Sequence, residues 1–482
     1  MIALALPKLR GPIIRPWALV APILVLLVTL PLLRPLRHPS PLQISDNEAS
    51  RLATVQSLIE HRSLSINDSS FVQTRDKIVV NEHYYSNQPP VFAVLLAGAY
   101  WAIHALGWSL DRNPTLVAYL LTVLGVTLPV SLCAGLIYRM GRIFELSRPW
   151  RAALAAGVIF GSGLISYGVV LNSHAPAAAL VLASAACLIH ITLAGRSTHT
   201  PNWLLLSGLC AGFAAVIDPP ALVFLMLFLF VIVAMRWPIH FRLGGMLLYA
   251  LGAAPAVLLH TTLVLPILGD LLPPKMHREF AVVDSHVAAL NAVPVLSSVT
   301  DTPPDEEEVA ASLQLANPSR WLKFLHTCDY VTEGLFGDHG VFTHFPIMLF
   351  GILGVGAVLH RHWPSTTKTL AVSSVFGGLV IVIVCALCRI DWKDAMFASR
   401  WFIPFLPILL FWTGAWIRRR HHPVTWALAA ILLAFSTTVS LIGATNPFPQ
   451  KGFEGYTAAG ALNTLIHADA PPVAAQAVVS GG

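Results

Sequence analysis

Apolar residues gather along this chain into runs of about 17 to 25 residues, separated by shorter polar stretches. A helix of roughly 20 apolar residues is long enough to cross the hydrocarbon core of a bilayer. The pattern therefore predicts an all-α polytopic membrane protein with about eleven transmembrane helices. The predicted spans are residues 17–33, 114–138, 152–170, 175–194, 202–217, 220–235, 243–265, 345–360, 368–388, 401–417 and 424–443.

These spans account for most of the 482 residues. We therefore expect one membrane domain over residues 1–443, followed by a tail, residues 444–482, that is too small and too weakly patterned to form a domain of its own. Two long polar stretches, residues 34–113 and 266–344, interrupt the spans on one side. Long loops on one face of a helical bundle are where chemistry is expected.

Basic residues mark the other side of the predicted bundle. Lys8, Arg10 and Arg15 precede the first span, and the loop of residues 139–151 is rich in arginine and contains one acid, Glu145. Since the cytoplasmic loops of membrane proteins are enriched in Lys and Arg, this side is predicted to be cytoplasmic. We expect a multi-pass protein of the plasma (inner) membrane with a cytoplasmic N-terminus and extracytoplasmic long loops.

The apolar segment 90–108 is the exception to this alternation. If it crossed the bilayer, the arginine-rich loop 139–151 would lie on the side opposite the basic N-terminus, against the positive-inside tendency. The segment also contains Trp101, His104 and Trp108, which suit a helix lying in the interface. We therefore predict a juxtamembrane helix within the first external loop rather than a further span.

Composition changes this picture little. Only 11% of the residues are charged, 56% are apolar, and the net charge is +6. In a soluble protein such a positive balance would suggest nucleic acid, but here the bases are those expected of cytoplasmic loops. We expect membrane lipids, and no nucleic acid, as partners of the chain.

The stretch ISDNEASR, residues 44–51, opens the first external loop. It begins a series of apolar residues at helical spacing, Ala49, Leu52, Val55 and Ile59. The spacing predicts an amphipathic helix over about residues 46–61 on the membrane surface. Ser45 and Glu48 match a capping box, in which each side chain accepts a hydrogen bond from the backbone NH of the other residue. Asp46 is then left without an assigned hydrogen bond, free to face a substrate.

Residues 71–90 read FVQTRDKIVVNEHYYSNQPP. Two runs rich in β-forming residues flank the polar Arg75, Asp76 and Lys77, which predicts a short hairpin. Pro89 and Pro90 then force an extended segment. The first external loop is thus predicted to be ordered, which a simple tether between two spans would not need to be.

Several short stretches resemble the GT-C glycosyltransferases, specifically the clan of the protein O-mannosyltransferases and lipid A aminoarabinose transferases. They are ISDNEASRLATVQSLIEHRSLSI, HYYSNQPPVFAVLLAGAYW and ASRWFIPFLP. The resemblance implies transfer of a hexosyl or pentosyl group from a polyprenyl-phosphate donor to a lipid, glycan or protein acceptor on the extracytoplasmic side. It places the catalytic acid on Asp46, with Glu48 as a second candidate. Gln88 stands where many relatives have a lysine before the Pro-Pro pair, and Gln88 and Tyr85 are candidates for binding the donor phosphate.

The reaction itself requires groups of the same kind. A carboxylate must take the proton of an acceptor hydroxyl while the anomeric carbon becomes cationic, and positive charge must stabilise the departing lipid phosphate. Asp46 is the candidate carboxylate. Arg400, at the external mouth of span 401–417, is the candidate cation, because a guanidinium can bind phosphate through two parallel hydrogen bonds. An interfacial anchor that reaches the lipid head groups is the competing interpretation of Arg400.

Polar residues near other external turns are candidates for the substrate cavity. His174 lies in a tight turn between two spans, and Asp218 precedes a Pro-Pro pair in another turn. A hydrogen-bonded turn histidine and a helix cap are the competing interpretations. His339 and His344 are further cavity candidates and, with Asp338, are candidate ligands for a divalent cation, although their spacing matches no specific metal motif. No other cofactor is implied.

A lipid or solute transporter, such as a flippase, is the alternative function. Transporters tend to show inverted repeats, broken helices and polar groups near the bilayer midplane. No convincing repeat is found in this chain, and its polar residues gather at the predicted external face. A non-catalytic scaffold would explain the spans but not the ordered first loop. The sequence therefore favours an extracytoplasmic glycosyltransferase.

Overall fold

A computed structural model describes residues 16–33, 44–277, 280, 320–360, 362–388, 398, 400–419 and 421–445. The basic N-terminal residues Lys8, Arg10 and Arg15, most of the second external loop and the tail beyond residue 445 lie outside these residues. The described part of the chain is an all-α polytopic bundle with one small hairpin.

The helices are α1 Pro16–Thr29, α2 Asp46–Gln56, α3 Pro90–Ala105, α4 Pro114–Phe144, α5 Arg148–Gly161, α6 Leu164–Tyr167, α7 His174–Ala194, α8 Thr200–Ile217, α9 Leu222–Val233, α10 Ile239–Leu268, α11 Arg320–Phe336, α12 Val341–His344, α13 Met348–Leu359, α14 Ser365–Cys388, α15 Leu406–Phe411, α16 Thr413–Ile417 and α17 Pro423–Thr445. A π turn, Val123–Thr127, interrupts α4. The two strands are β1 Lys77–Val80 and β2 His83–Ser86.

Six helices in the described residues are long and apolar enough to cross a bilayer, namely α4, α7, α8, α10, α14 and α17. The bent pair formed by residues 326–344 and α13 would make a seventh span, with an 88° bend between its halves. Several other predicted spans are occupied by apolar helices of less than 18 residues. By length and composition, the described helices thus provide six or seven spans, fewer than the eleven predicted.

The break in predicted span 152–170 has a local cause. Helix α5 ends at Gly161, and Gly163 adopts φ +71°, a left-handed conformation that glycine reaches without steric cost. A methyl group at Gly163 would also collide with the ring of Phe345. The chain therefore turns here and resumes as the short helix α6.

The hairpin in the first external loop is confirmed, but its turn lies further along the chain than the sequence suggested. Strand β1 already begins at Lys77, and the antiparallel pairing runs from Lys77 with Ser86 to Val80 with His83. Asn81 and Glu82 form the turn with φ values of 50° and 66°. Positive φ at both central residues matches the twist of paired strands, which is why such two-residue turns are favoured.

Helix α2 forms where it was predicted and continues as a π turn, Ser57–His61. It does not lie on the surface, however. Residues 50–57 are all buried, including polar ones such as Arg51 and Gln56, because α3 and β2 pack against the helix. The first external loop is thus a packed layer of protein built around α2.

Both ends of α3 lie beside α2. Before α3, Gln88 accepts a hydrogen bond from Arg51 at 2.8 Å. After α3, Asp111 accepts one from Gln56 at 2.8 Å. Arg51 and Gln56 are less than two helical turns apart on α2. The residues before α3 and those after it therefore contact the same part of α2, so the segment begins and ends on one side of the bundle. The contacts favour the non-crossing arrangement that the charge pattern suggested for this segment.

Glycines allow close helix contacts in the bundle, as in other membrane proteins. In the contact between α8 and α10, a methyl group at Gly208 would fall on the carbonyl of Tyr249, and one at Gly252 would fall on that of Leu205. Gly354 on α13 faces the carbonyl of Trp412 in the same way. At these positions any side chain would have to push backbone apart.

We expect Gly354→Ala to lower the thermal stability of the protein, because overpacking a close contact costs about 1–3 kcal/mol. Gly356 lies on the same helix with no atom within 4 Å of the added methyl position, so Gly356→Ala is the matched control and should be neutral or slightly stabilising. The measurement is the melting temperature of the two purified variants in one detergent. Equal melting temperatures would contradict the close contact at Gly354.

Candidate functional site

The capping box at the start of α2 is confirmed. The Ser45 hydroxyl accepts from the Glu48 NH at 3.3 Å, and Glu48 Oε2 accepts from the Ser45 NH at 2.9 Å. The second oxygen of Glu48 accepts from the NH of Leu171 at 3.2 Å, in the segment before α7. With 2% of its surface exposed, Glu48 joins the first loop to the helical bundle.

These contacts predict a structural effect for Glu48→Gln. Both oxygens of Glu48 accept from backbone NH groups, and a glutamine would place an NH₂ group against one of them. An unsatisfied buried donor costs about 1–3 kcal/mol, so the variant should melt at a lower temperature. Glu82→Gln, at an exposed turn position, is the matched control. Unchanged stability of Glu48→Gln would contradict this role.

Asp46 lies at the first position of α2 with an exposed side chain. The prediction that it has no hydrogen bond is wrong, because Oδ1 accepts from the Arg75 NH at 3.0 Å. The Thr74 hydroxyl donates to the main-chain oxygen of Asp46 at 2.8 Å and lies 3.4 Å from Oδ1. Thr74 and Arg75, the residues just before β1, therefore orient the Asp46 carboxylate at the N-terminal end of α2.

Asn47, the next residue, lies between the hairpin segment and Arg400. One atom of its side-chain amide lies 2.6 Å from both Gln88 Nε2 and Asp76 Oδ2, and the other lies 3.2 Å from Arg400 Nη1. A guanidinium only donates and a carboxylate only accepts, so these two charged groups favour the orientation in which the oxygen of Asn47 faces Arg400 and its NH₂ faces Asp76. Gln88 Nε2, which donates to Asp76, would donate to Asn47 only in the opposite orientation. Asn47 thus connects Arg400 with Asp76.

Arg400 lies inside the protein. It begins a short 3₁₀ turn, Arg400–Phe402, and only 7% of its surface is exposed. Its guanidinium carbon lies 4.9 Å from the ring centre of Trp401, within the range of a cation–π contact. This burial disfavours the interpretation of Arg400 as an anchor that reaches lipid head groups. The structure brings Arg400 to the residue next to Asp46, as the chemical argument required.

Arg51 is a second buried guanidinium in this region, and no sequence motif distinguished it from other arginines of the loop. It is 4% exposed and donates to neutral acceptors, the main-chain oxygen of Asn47 at 3.0 Å, Gln88 Oε1 at 2.8 Å and Ser173 Oγ at 3.2 Å. A guanidinium cannot be recognised as buried from a single helix, because its partners come from distant parts of the chain.

Burial lowers the pKa of Arg51 to about 10, and the positive charge of Arg400 acts in the same direction. Carboxylates oppose this effect and raise the pKa, and they are Asp76, Asp218 and Glu48. Arg51 therefore keeps its charge at neutral pH. The two arginines and these carboxylates form one charged cluster at the end of the bundle where α2, the hairpin and the start of α7 meet.

His174 and Asp218, predicted separately, are in contact. His174 Nδ1 and Asp218 Oδ2 are 2.8 Å apart, and both side chains are buried. The His174 ring lies edge-on to Trp401 at a centroid distance of 6.1 Å. Asp218 makes no side-chain cap to the following turn, so helix capping does not explain its carboxylate. The pair joins α7 and the α8–α9 turn to the Arg400 side of the cluster.

Gln88 and Tyr85 line a cleft between the hairpin and the last turns of α10. Its apolar wall includes Leu263, Val264 and Ile267. The cleft contains about 30 Å³ of cavity volume, which is room for water rather than for a lipid chain. An elongated apolar ligand would therefore have to separate the hairpin from α10. Gln88, one of the residues lining the cleft, also contacts Arg51 of the charged cluster.

The candidate metal ligands are not brought together. Across the described residues, no group of three His, Cys, Asp or Glu side chains converges as a metal site. His344 is fully buried in α12, where its Nδ1 lies 2.9 Å from the carbonyl of Gly340. Asp338 is exposed and His339 is half-buried. Metal binding by Asp338, His339 and His344 therefore stays a prediction, and these three side chains do not converge on one point.

The chain is similar in backbone arrangement to two solved structures. One is the archaeal oligosaccharyltransferase AglB from Archaeoglobus fulgidus, in complex with an inhibitory peptide and a dolichol-phosphate, with 12% identity and a TM-score of 0.49 over 91% of this chain and 57% of that one. The other is ArnT from Cupriavidus metallidurans bound to undecaprenyl phosphate, with 12% identity and a TM-score of 0.44 over 89% of this chain and 68% of that one. No protein-family model and no curated protein matches the sequence.

The chain spans little more than half the length of the oligosaccharyltransferase. At this level of identity and structural overlap, the similarity carries no information about the reaction. We therefore take the function from the chain's own side chains.

Proposed function

We propose that this protein is an integral membrane glycosyltransferase that moves a sugar from a polyprenyl-phosphate donor to a hydroxyl acceptor at its extracytoplasmic face. The observation that supports this proposal best is the position of Asp46 and Arg400. An exposed, oriented carboxylate precedes Asn47 in the chain, and a buried guanidinium contacts the side chain of Asn47. A base for the acceptor and a cation for the leaving phosphate are the two groups that the reaction needs.

In the proposed reaction, Asp46 accepts the proton of the acceptor hydroxyl while the oxygen of that hydroxyl forms a bond to the anomeric carbon. The bond between that carbon and the phosphate oxygen breaks, and its electron pair leaves with the polyprenyl phosphate. Arg400 stabilises the charge that develops on the phosphate. Glu48 belongs to the helix cap and the link to Leu171, so Asp46 is the catalytic carboxylate of the two.

The donor lipid is proposed to enter beside Gln88 and Tyr85. The cleft there is walled by apolar residues of α10 and ends at the charged cluster. An isoprenoid chain would lie against α10 while its phosphate faces the cluster. His174 and Asp218 lie on the Arg400 side and are proposed to line the sugar or phosphate position, since His174 contacts Trp401 and Trp401 contacts Arg400.

The extracytoplasmic orientation of the site is part of this proposal. Glu145 and Arg418, which the charge pattern assigns to cytoplasmic segments, form an ion pair. Residues assigned to external segments likewise contact one another, as Glu48 does with Leu171 and Arg51 with Ser173. Each face of the bundle is thus internally consistent with the positive-inside assignment.

The test is a transfer assay with the purified protein in lipid nanodiscs. Polyprenyl-phosphate hexoses and pentoses are offered with alcohol acceptors, and nucleotide sugars serve as control donors. We expect glycosylated product and free polyprenyl phosphate only from the lipid-linked donors. Movement of intact donor across liposome membranes, with no cleavage of the sugar–phosphate bond by any donor in the panel, would instead support the transporter alternative.

A further inference from the structure

Asp76 is a hydrogen-bonding centre at the start of the hairpin that the proposed reaction does not use directly. Its carboxylate accepts from Asn87 Nδ2 at 3.0 Å and from Gln88 Nε2. Its main-chain oxygen accepts from Ser50 Oγ at 2.6 Å and from the Asn87 NH at 3.2 Å. The backbone of Asp76 is therefore held independently of its side chain, so a change of side chain can be separated from a change of backbone position.

The carboxylate also determines which way the amide of Asn47 faces. One amide atom of Asn47 lies 2.6 Å from Asp76 Oδ2. A carboxylate only accepts, so it favours the orientation in which this atom is the NH₂ group, against Gln88 Nε2, which lies 2.6 Å from the same atom and would donate to it in the opposite orientation. The amide oxygen must then face Arg400 Nη1, 3.2 Å away. The geometry makes a chain of three polar groups, carboxylate to amide to guanidinium, in which each hydrogen bond fixes the direction of the next.

We propose that Asp76 is a positioning residue for Arg400, acting through the amide of Asn47, and that it thereby sets how the site binds the donor phosphate. The inference rests on the proposed function. Asp76 touches no reacting atom. Its carboxylate gives Arg400 a neutral, correctly oriented acceptor on one side and leaves the guanidinium in place to donate to a phosphate. An acid at position 47 would instead pair with Arg400 directly and compete with the phosphate.

Replacing Asp76 by asparagine removes the carboxylate that favours one orientation of the Asn47 amide. The new amide has a single NH₂ group. When this group faces Gln88 and Asn47, the oxygen of Asn47 can turn toward it and toward Gln88 Nε2, and the NH₂ of Asn47 then faces Arg400, where two donors meet. Arg400 then loses the hydrogen bond to the Asn47 oxygen and is directed toward the phosphate less precisely. Hydrogen bonds to charged groups are stronger than those between neutral groups, so the phosphate contact made by a misdirected guanidinium should weaken about tenfold or more.

The experiment measures the binding of unreactive polyprenyl phosphate and the kinetics of transfer in the full-length protein. We expect Asp76→Asn to raise the dissociation constant for polyprenyl phosphate, and the KM for the donor, about tenfold, with a smaller change in kcat. Asn47→Ala should have a similar effect. Combining the two should add little, because both act through one chain of contacts. Asp68→Asn, an exposed acid of the same loop, is the control.

Additive effects of Asp76→Asn and Asn47→Ala on the dissociation constant would overturn the proposal that Asp76 positions Arg400 through Asn47. So would an unchanged dissociation constant in Asp76→Asn when the wild type binds polyprenyl phosphate, and this result would leave the proposed function standing. A wild type that neither binds polyprenyl phosphate nor transfers sugar would overturn both proposals. Melting temperatures of all variants separate a general loss of folding from the specific loss of phosphate binding.

Discussion

Asp46→Asn should lower the rate of sugar transfer by about 100- to 10,000-fold, the contribution expected of a positioned general base. The substitution keeps the size and shape of the side chain. Its oxygen can still accept from the Arg75 NH, which is the contact that orients the carboxylate. What disappears is the ability to take a proton from the acceptor. The effect should therefore fall on kcat, with little change in the affinity for donor lipid.

Stability should change little in this variant, because Asp46 is exposed and the helix-terminal charge effect is worth at most about 1 kcal/mol. Initial rates with a polyprenyl-phosphate sugar, together with melting temperatures, provide the measurement. Asp68→Asn removes an exposed acid elsewhere in the same loop and should transfer sugar at the wild-type rate. Full activity of Asp46→Asn would remove Asp46 as the base and direct attention to the buried carboxylates.

The features that sequence reasoning predicted well are local ones. A capping box depends on two residues three positions apart, and Ser45 and Glu48 form it as expected. Helical spacing also predicted a helix over residues 46–61, which is the combined extent of α2 and the π turn that follows it. In the hairpin, the β-forming runs were predicted, but the polar break was placed at Arg75, Asp76 and Lys77, whereas the turn is formed by Asn81 and Glu82. Asn81 suits the positive φ of such a turn.

Long-range contacts explain what the sequence could not reveal. Arg51 and its partner Gln88 are 37 residues apart, and Ser173 lies 122 residues further along the chain from Arg51. An arginine between apolar helical positions looks like part of a solvated face until these partners are known. The same is true of Asp76, which appeared only as one of three polar residues. Burial of α2 is a property of the packed loop, which no periodicity encodes.

In the candidate site too, the sequence predicted single residues and the structure supplied the contacts between them. Carboxylate and guanidinium chemistry pointed to Asp46 and Arg400 separately, and the structure supplies Asn47 as the residue between them. His174 and Asp218 were separate candidates for the substrate cavity, and a hydrogen-bonded turn and a helix cap were their respective competing interpretations. Their mutual contact at 2.8 Å is visible only when α7 and the α8–α9 turn meet. Residue type thus indicated the chemistry, and packing determined which residues can act together.

Arg400→Lys should reduce kcat/KM for the lipid-linked donor by about 10- to 100-fold although the positive charge is kept. A guanidinium donates through a planar fork, so it can contact Asn47 and a phosphate together while lying over Trp401. An ammonium on a shorter, flexible stem provides a point charge and loses the bidentate geometry. The loss corresponds to roughly 1.4–2.8 kcal/mol, within the range of a charge-assisted contact.

The same variant should bind the released polyprenyl phosphate more weakly by a similar factor, because the product carries the group that Arg400 contacts. Inhibition of transfer by added polyprenyl phosphate measures this directly, and Arg112→Lys, an exposed arginine of the same loop, is the matched control. If transfer falls but product inhibition is unchanged, Arg400 acts on something other than the phosphate. If both are unchanged, positive charge alone is sufficient and the fork geometry of Arg400 has no part in catalysis.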